Sequence, residues 1–215
     1  MATAQPKIKV NRDGFFIVLK AIILPIFWLI FLPRVKGRKN IPQTGGGLIC
    51  GNHVTVLDAI ALLLGTHRTV HYLAKKELFR GPLKYLFRNL GAIPVDRSKK
   101  GGNDAALAAA RDRLDRGQLI GIFPEGTTLY KQRYELLPFK YGAVKLAYDS
   151  GVTITPLAIT GRYIPLARNL TLNFGRPITV GNDLDKANAE LRRAIIDLMI
   201  ESRPKIAELY KEERK

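Results

Sequence analysis

The sequence predicts a single α/β domain with a largely parallel central sheet flanked by helices. Short apolar runs alternate along the chain with helical patterns, as is typical of parallel strands joined by crossover helices. Residues 118–123 form a continuous apolar run, which indicates a strand buried on both faces of a parallel sheet. A chain of 215 residues can form one sizeable core, and no internal repeat divides it.

Residues 1–38 form an N-terminal segment that we separate from the globular domain, residues 39–215. Residues 15–33 are nearly all apolar, and as a helix they would be ~28 Å long, close to the ~30 Å hydrocarbon thickness. Lys20 interrupts this run, Pro25 is expected to break or kink it, and cations flank both ends. We therefore predict a bent helix embedded in one leaflet at the cytoplasmic face of the cell membrane. A single-pass span and a buried core helix are the alternatives.

Charge and composition limit the classes of partner. The chain has a net charge of +17, from 35 basic and 18 acidic residues, and 47% of its residues are hydrophobic. This balance indicates a folded domain with a cationic surface that binds something anionic. An anionic membrane surface and nucleic acid both qualify, but the sequence has no zinc-finger or RNA-binding aromatic motif, so nucleic acid is not expected.

Cysteine and histidine content argues against a metal site. The single cysteine, Cys50, excludes an internal disulfide and any cysteine-rich metal site. Cys50 lies near His53, yet its place within an apolar run favours a small buried residue over a nucleophile. His67 and His71 lie on the edge of a predicted strand without a nearby acidic ligand, so we expect solvated histidines. No metal or cofactor is predicted.

The secondary elements follow from apolar periodicity and from the glycines and prolines that end each run. Strands are predicted at residues 48–50, 69–74, 91–97, 118–123, 152–159, 170–173 and 178–180. Helical patterns cover residues 58–64, 75–90 with an interruption at 81–82, 102–117, 137–150, and the chain from about residue 188 onward.

His53 and Asp58 flank the turn between the first of these strands and the helix that follows. In one continuous helix, residues five apart point about 140° away from each other, so the pair meets only if His53 precedes the helix. An imidazole can then accept a proton from a hydroxyl while the carboxylate fixes its tautomer. The spacing alone also fits a helix-capping histidine followed by a first-turn acid.

The strand at residues 118–123 leads directly into Pro124-Glu125-Gly126-Thr127. An acid and a glycine at the carboxyl end of a buried strand are unusual for packing alone. Ligands of open α/β sheets bind at this edge. We therefore expect the Glu125 loop to lie beside His53.

Four stretches, in this order, resemble the sequence blocks of the glycerophospholipid acyltransferases, most closely the bacterial 1-acylglycerol-3-phosphate acyltransferases. They are Asn52-His53-x4-Asp58, Gly91-x-Ile93-Pro94-Val95-Asp96-Arg97, Phe123-Pro124-Glu125-Gly126-Thr127 and Thr155-Pro156-Leu157. Residues 74–78 and 138–142 resemble further stretches of the family, and the similarity covers roughly residues 38–180.

The resemblance implies transfer of a fatty acyl group from acyl carrier protein or coenzyme A to the sn-2 hydroxyl of 1-acylglycerol-3-phosphate, giving phosphatidic acid. His53 would be the general base and Asp58 would orient it, with backbone N–H groups at the helix start as donors to the oxyanion. The implied substrate-binding residues are Lys75, Arg97, Glu125, Gly126, Thr127 and Lys140.

One departure from the family pattern affects the expected acceptor. Arginine commonly follows Glu-Gly-Thr in this family, whereas this chain has Thr128. We expect Lys131, Arg133 or Lys140 to replace that cation, or the acceptor to be another lysophospholipid or a lyso-glycolipid. The alternative from a different class is a non-enzymatic polybasic protein that binds a membrane or nucleic acid through charge.

Overall fold

A seven-stranded sheet lies at the centre of the computed structural model, which describes residues 13–80, 91–96, 104–128 and 134–212. The strands are β1 (Arg34–Lys36), β2 (Gly47–Gly51), β3 (Val70–Lys75), β4 (Ile93–Val95), β5 (Leu119–Ile122), β6 (Ile154–Thr160) and β7 (Thr171–Phe174). The helices are α1 (Asp13–Phe31), α2 (Asp58–Leu63), α3 (Asp104–Asp115), α4 (Gly142–Ser150) and α5 (Leu184–Ser202), with 3-10 turns at Arg38–Asn40, Lys76–Phe79 and Pro204–Tyr210.

The strand order is β1-β7-β6-β2-β5-β3-β4, and the sheet is parallel except for the antiparallel β6–β7 pair. The predicted α/β domain with a largely parallel sheet is therefore confirmed. From β2 the chain builds β3, β4 and β5 on one side and then places β6 and β7 on the other. A change of direction of this kind creates a crevice at the carboxyl ends of the central strands, where ligands bind in such sheets.

Side chains of the central strands alternate between two apolar cores, one on each face of the sheet. In β2, Leu48 and Cys50 pack into the core that contains α3, α4 and α5. Ile49 packs into the opposite core, together with Phe27 of α1 and Leu62 of α2. The site therefore rests on strands that are buried on both faces.

Several predicted boundaries of helices and strands are wrong. Helix α4 begins at Gly142 instead of residue 137, since backbone bonds tie the preceding segment to the loop after β5; Lys140 N donates to Pro124 O at 3.0 Å. Helix α5 begins at Leu184 because Asp183 caps it, accepting from Lys186 N at 2.9 Å. The strand predicted at 178–180 is only a single bridge, and β1 was not predicted.

The N-terminal helix α1 continues through Pro25 without a break. Phe27 is buried against the domain, and Lys20 Nζ donates to the carbonyl oxygens of Thr66 at 2.5 Å and Arg68 at 3.1 Å. Burial lowers the pKa of Lys20 to about 8.

Within the described ranges, no helix combines the length and apolarity that crossing a bilayer requires. The predicted membrane-embedded segment stays a prediction, as does the domain boundary at residues 38 and 39.

Candidate active site

The chain leaves β2 at Gly51 and turns into α2, whose first residue is Asp58. His53 lies in this turn, and its Nδ1 is 3.0 Å from Asp58 Oδ2. The five-residue spacing therefore brings the two side chains together in the way that the sequence argument requires. Because an ionised carboxylate only accepts hydrogen bonds, Nδ1 donates to it and Nε2 remains as the acceptor.

Asp58 is fully buried, with 0% of its surface exposed. Its Oδ2 also accepts the backbone N–H of Val54 at 2.6 Å and that of Thr55 at 2.7 Å, while Oδ1 accepts the Tyr163 hydroxyl at 2.6 Å. Four donors thus replace water around this charge, as a buried carboxylate requires.

These bonds change the expectation for the oxyanion. The N–H groups of Val54 and Thr55 are bonded to Asp58, and those of Leu57 and Asp58 are bonded to Thr55. The predicted use of the N–H groups at the helix start as oxyanion donors is therefore wrong for these four groups, because the turn itself uses them.

The His53 ring is fixed by its neighbours as well as by Asp58. It stacks on Phe123, which follows β5, with ring centroids 4.2 Å apart and an interplanar angle of 13°. Asn52 joins β2 to β6 through two bonds, since its Nδ2 donates to Ile159 O at 2.9 Å and its Oδ1 accepts Ile159 N at 2.7 Å. The turn carrying His53 is therefore tied to both strands adjacent to β2.

Glu125 is 4% exposed and binds backbone through both carboxylate oxygens. Oε1 accepts His53 N at 2.9 Å, and Oε2 accepts Leu137 N at 3.0 Å. Burial raises the pKa of Glu125, against the lowering effect of these two donors. The side chain therefore fastens the His53 turn and the segment before α4 to the β5 loop. Acceptor binding by Glu125 stays a prediction.

Gly126 follows Glu125 in the left-handed region, with φ +70°, and its N–H donates to Phe123 O at 3.0 Å. Residues that carry a side chain rarely adopt this backbone conformation, which explains why glycine stands between Glu125 and Thr127.

A cavity of about 610 Å³ opens in front of His53. Most of its lining is apolar, from α2, β3, β4, α3 and the start of α4. The predicted site residues that line it are His53, Lys75, Gly126, Thr127 and Lys140, and Thr128 lines it too. Asp58 and Glu125 lie buried beside His53. Arg97, Lys131 and Arg133 lie outside the described residues.

Cys50 and His71 are both buried. Burial raises the pKa of the Cys50 thiol, which argues against a Cys50–His53 nucleophilic pair. The expectation that His71 is solvated is wrong, because its Nδ1 lies 2.8 Å from Gly91 O and its Nε2 lies 3.1 Å from Gln118 Oε1. Where the structure describes the chain, no three metal-binding side chains cluster.

The sequence did not indicate two contacts of the site. Phe123 was assigned as a strand residue and as the first residue of a family block, without a contact to His53, and its stacking on His53 depends on the pairing of β2 with β5. Tyr163 lies 105 residues after Asp58, so only the folded sheet brings them together. A tyrosine soon after a buried strand is the only signal for it in the sequence.

The acyltransferase family model matches residues 33–160, more than half of the chain. The 1-acyl-sn-glycerol-3-phosphate acyltransferase of Borreliella burgdorferi is 29% identical over 167 residues, which cover 77% of this chain and 66% of that protein. The Bacillus subtilis protein of the same name is 32% identical over 130 residues, covering 60% of this chain and 62% of that protein.

A solved structure also matches: the 1-acyl-sn-glycerophosphate acyltransferase of Thermotoga maritima has a TM-score of 0.66 at 21% identity, and the match covers 89% of each chain. At that identity the likeness shows the fold alone. The chain spans less than two thirds of the length of the two curated relatives.

Replacing Glu125 by alanine is expected to destabilise the protein by about 2–4 kcal/mol, because two partly buried backbone N–H groups lose their acceptor. Glutamine supplies one acceptor oxygen and should recover part of the loss. Glu135→Ala is the matched control, since Glu135 is an exposed glutamate in the segment before α4 and its loss should cost less than about 0.5 kcal/mol. Denaturant unfolding measures all three variants. Equal stability of the two alanine variants would contradict the fastening role.

Proposed function

Because the chain belongs to the acyltransferase family, we propose that it transfers a fatty acyl group from a thioester to the sn-2 hydroxyl of 1-acylglycerol-3-phosphate, giving phosphatidic acid. The observation that carries this proposal is the His53–Asp58 pair at the mouth of an apolar cavity that also contains two lysines. The named activity of the two bacterial relatives supports it. The donor is the thioester of acyl carrier protein or of coenzyme A.

In the proposed reaction, His53 Nε2 accepts the proton of the acceptor hydroxyl while its oxygen attacks the thioester carbonyl carbon. Asp58 stabilises the imidazolium that forms, because its Oδ2 contacts Nδ1 at 3.0 Å. The tetrahedral intermediate then collapses, the carbon–sulfur bond breaks, and the thiolate takes the proton from His53. The products are an ester and a free thiol, with no covalent intermediate on the enzyme.

The lining of the cavity fits an amphipathic, anionic substrate. Apolar side chains from α2, β3 and α3 offer a place for an acyl chain. Lys75 and Lys140 line the same cavity, and ammonium groups are suitable partners for a phosphate. Thr128 contributes no charge at its position, so we assign the missing cation to Lys140 among the three predicted substitutes. The same neutrality keeps a lysophospholipid with a head group, or a lyso-glycolipid, as the second candidate acceptor.

We also propose that the protein acts at the cytoplasmic face of the cell membrane, with no nucleic acid as partner. On α1, Val18, Ile22, Ile26 and Leu29 follow helical spacing and are exposed, and Trp28 is exposed beside them. Leu166, in the loop after β6, is 69% exposed, and its N–H donates to Ile30 O at 2.7 Å. Exposed cations follow α1 along the chain, at Arg34, Lys36, Arg38 and Lys39, and flank Leu166 in the loop after β6, at Arg162 and Arg168. Together these residues suit an anionic lipid surface.

His53→Ala is expected to lower kcat by about 10²–10⁴-fold, because the reaction loses its general base. Asp58→Asn should also be strongly impaired, since an amide favours the wrong tautomer of His53. His67→Ala is the matched control, because His67 is exposed and outside the cavity lining. The assay follows thiol release from acyl-coenzyme A and acyl carrier protein donors, each with lysophosphatidate, a headgroup-bearing lysophospholipid and a lyso-glycolipid. Wild-type turnover by His53→Ala would exclude the base assignment.

Lys140→Ala and Lys75→Ala are each expected to raise KM for lysophosphatidate about tenfold, with kcat nearly unchanged, because each removes a cation that binds the phosphate. Lys145→Ala is the control, since Lys145 is exposed on α4, pairs with Asp149 and does not line the cavity. Steady-state kinetics at varied acceptor concentration measure the effect. If KM for a lyso-glycolipid without phosphate rises equally, the lysines do not recognise the phosphate.

Leu166→Asp is expected to weaken binding to vesicles containing anionic lipid by about tenfold or more. The change removes an apolar side chain that would insert into the lipid and introduces a negative charge that the anionic headgroups repel. Leu209→Asp is the matched control, as Leu209 is 56% exposed on the 3-10 turn after α5. Vesicle sedimentation of the full chain gives both affinities. Equal weakening in the two variants would mean that general charge, rather than this loop, governs the binding.

A further inference from the structure

We propose that Tyr163 is a positioning residue for the catalytic pair: its hydroxyl sets the orientation of the Asp58 carboxylate, and through it the tautomer of His53. Tyr163 lies in the loop between β6 and β7, and its hydroxyl donates to Asp58 Oδ1 at 2.6 Å. The inference rests on the proposed role of His53 as the base. It adds a residue that lies outside the matched motifs.

The distribution of donors around Asp58 explains why this bond matters. His53, Val54 and Thr55 all direct their donors to Oδ2. Tyr163 binds the other oxygen, and Asp58 is fully buried. Rotation of the carboxylate about its Cβ–Cγ bond would break the bond to Tyr163 and misdirect three donors. Because the two carboxylate oxygens are equivalent, the tyrosine fixes the plane of the carboxylate relative to the imidazole.

The position of the Tyr163 ring depends on α1. The ring packs edge-on against Phe27, with centroids 6.1 Å apart, and against Phe31, with centroids 5.5 Å apart. The same loop is bonded to α1 through Leu166 N and Ile30 O. Helix α1 thus packs against the Tyr163 ring and thereby supports the hydroxyl that binds the Asp58 carboxylate.

A second tyrosine shows what an ordinary packing role looks like in this fold. Tyr72 is buried, and its hydroxyl donates to the backbone carbonyl of Ala59 at 2.7 Å. That bond satisfies one polar group in a core and touches no ionisable side chain. Tyr163 instead donates to the carboxylate that contacts the base, which is a geometry suited to controlling its orientation.

The first test is independent of activity and uses Tyr163→Phe in the full chain labelled with ¹⁵N-histidine. The protein has three histidines, so the His53 ring signals can be assigned by their loss in His53→Gln. We expect the His53 ring nitrogens to shift and its Nδ1 proton to exchange faster with water, while the signals of His67 and His71 stay unchanged. Tyr148→Phe, at an exposed tyrosine, is the matched control. Superimposable His53 signals in wild type and Tyr163→Phe would overturn the proposal.

The second test is kinetic. Tyr163→Phe should lower kcat about tenfold and leave KM for both substrates unchanged, because Tyr163 orients the base and does not line the cavity. In an Asp58→Ala background the same change should cost less than about twofold, since its partner is absent. If the two losses multiply, Tyr163 acts independently of Asp58 and the proposal fails.

The two proposals fail in distinguishable ways. Wild-type turnover by His53→Ala removes the proposed base, whatever Tyr163→Phe does. An inactive His53→Ala protein combined with unchanged kinetics and unchanged His53 signals in Tyr163→Phe removes only the positioning role. If no thioester is consumed with any acceptor, the histidine spectra still decide whether Tyr163 orients the pair.

Discussion

The buried charge of Asp58 is the constraint on which the rest of the site depends. A carboxylate without water must receive its hydrogen bonds from the protein. Here two of them come from backbone N–H groups of the turn, one from the His53 ring, and one from Tyr163 in the loop after the neighbouring strand β6. Meeting these requirements fixes the path of the turn, the tautomer of the imidazole and the approach of the β6–β7 loop. The geometry of the His53–Asp58 pair is thus a consequence of supplying hydrogen bonds to one buried charge.

The two acids of the site share this structural task and leave the cavity to cations. Glu125 bonds backbone on both oxygens, as Asp58 does on one. Neither carboxylate lines the cavity, whereas Lys75 and Lys140 do. The result is an apolar space beside His53 with positive charge nearby, which suits the anionic lipid proposed as substrate. The two carboxylates therefore bind groups of the protein itself, and the lysines are available for the proposed phosphate of the substrate.

What the sequence could predict depended on the distance along the chain between interacting residues. The meeting of His53 with Asp58 was predictable because it lies within one strand-to-helix turn, and the parallel strands were predictable from their apolar runs. The non-helical segment before α4 was missed because Glu125 holds it, and Tyr163 was missed because only the pairing of β6 beside β2 brings it near. Local patterns carry no information about such partners.

Helix α1 has one side packed on the domain and another side that is apolar and exposed. A lysine within this run is unfavourable for crossing a bilayer, yet Lys20 reaches the carbonyls of Thr66 and Arg68 and secures the helix to the domain. The side that packs on the domain contributes Phe27 and thereby supports Tyr163. The opposite side is apolar and exposed. If that side meets lipid as proposed, the helix in contact with the membrane is also the helix that packs against Tyr163, whose hydroxyl binds the Asp58 carboxylate. Binding of α1 to the membrane and the orientation of the proposed catalytic pair would then be physically coupled.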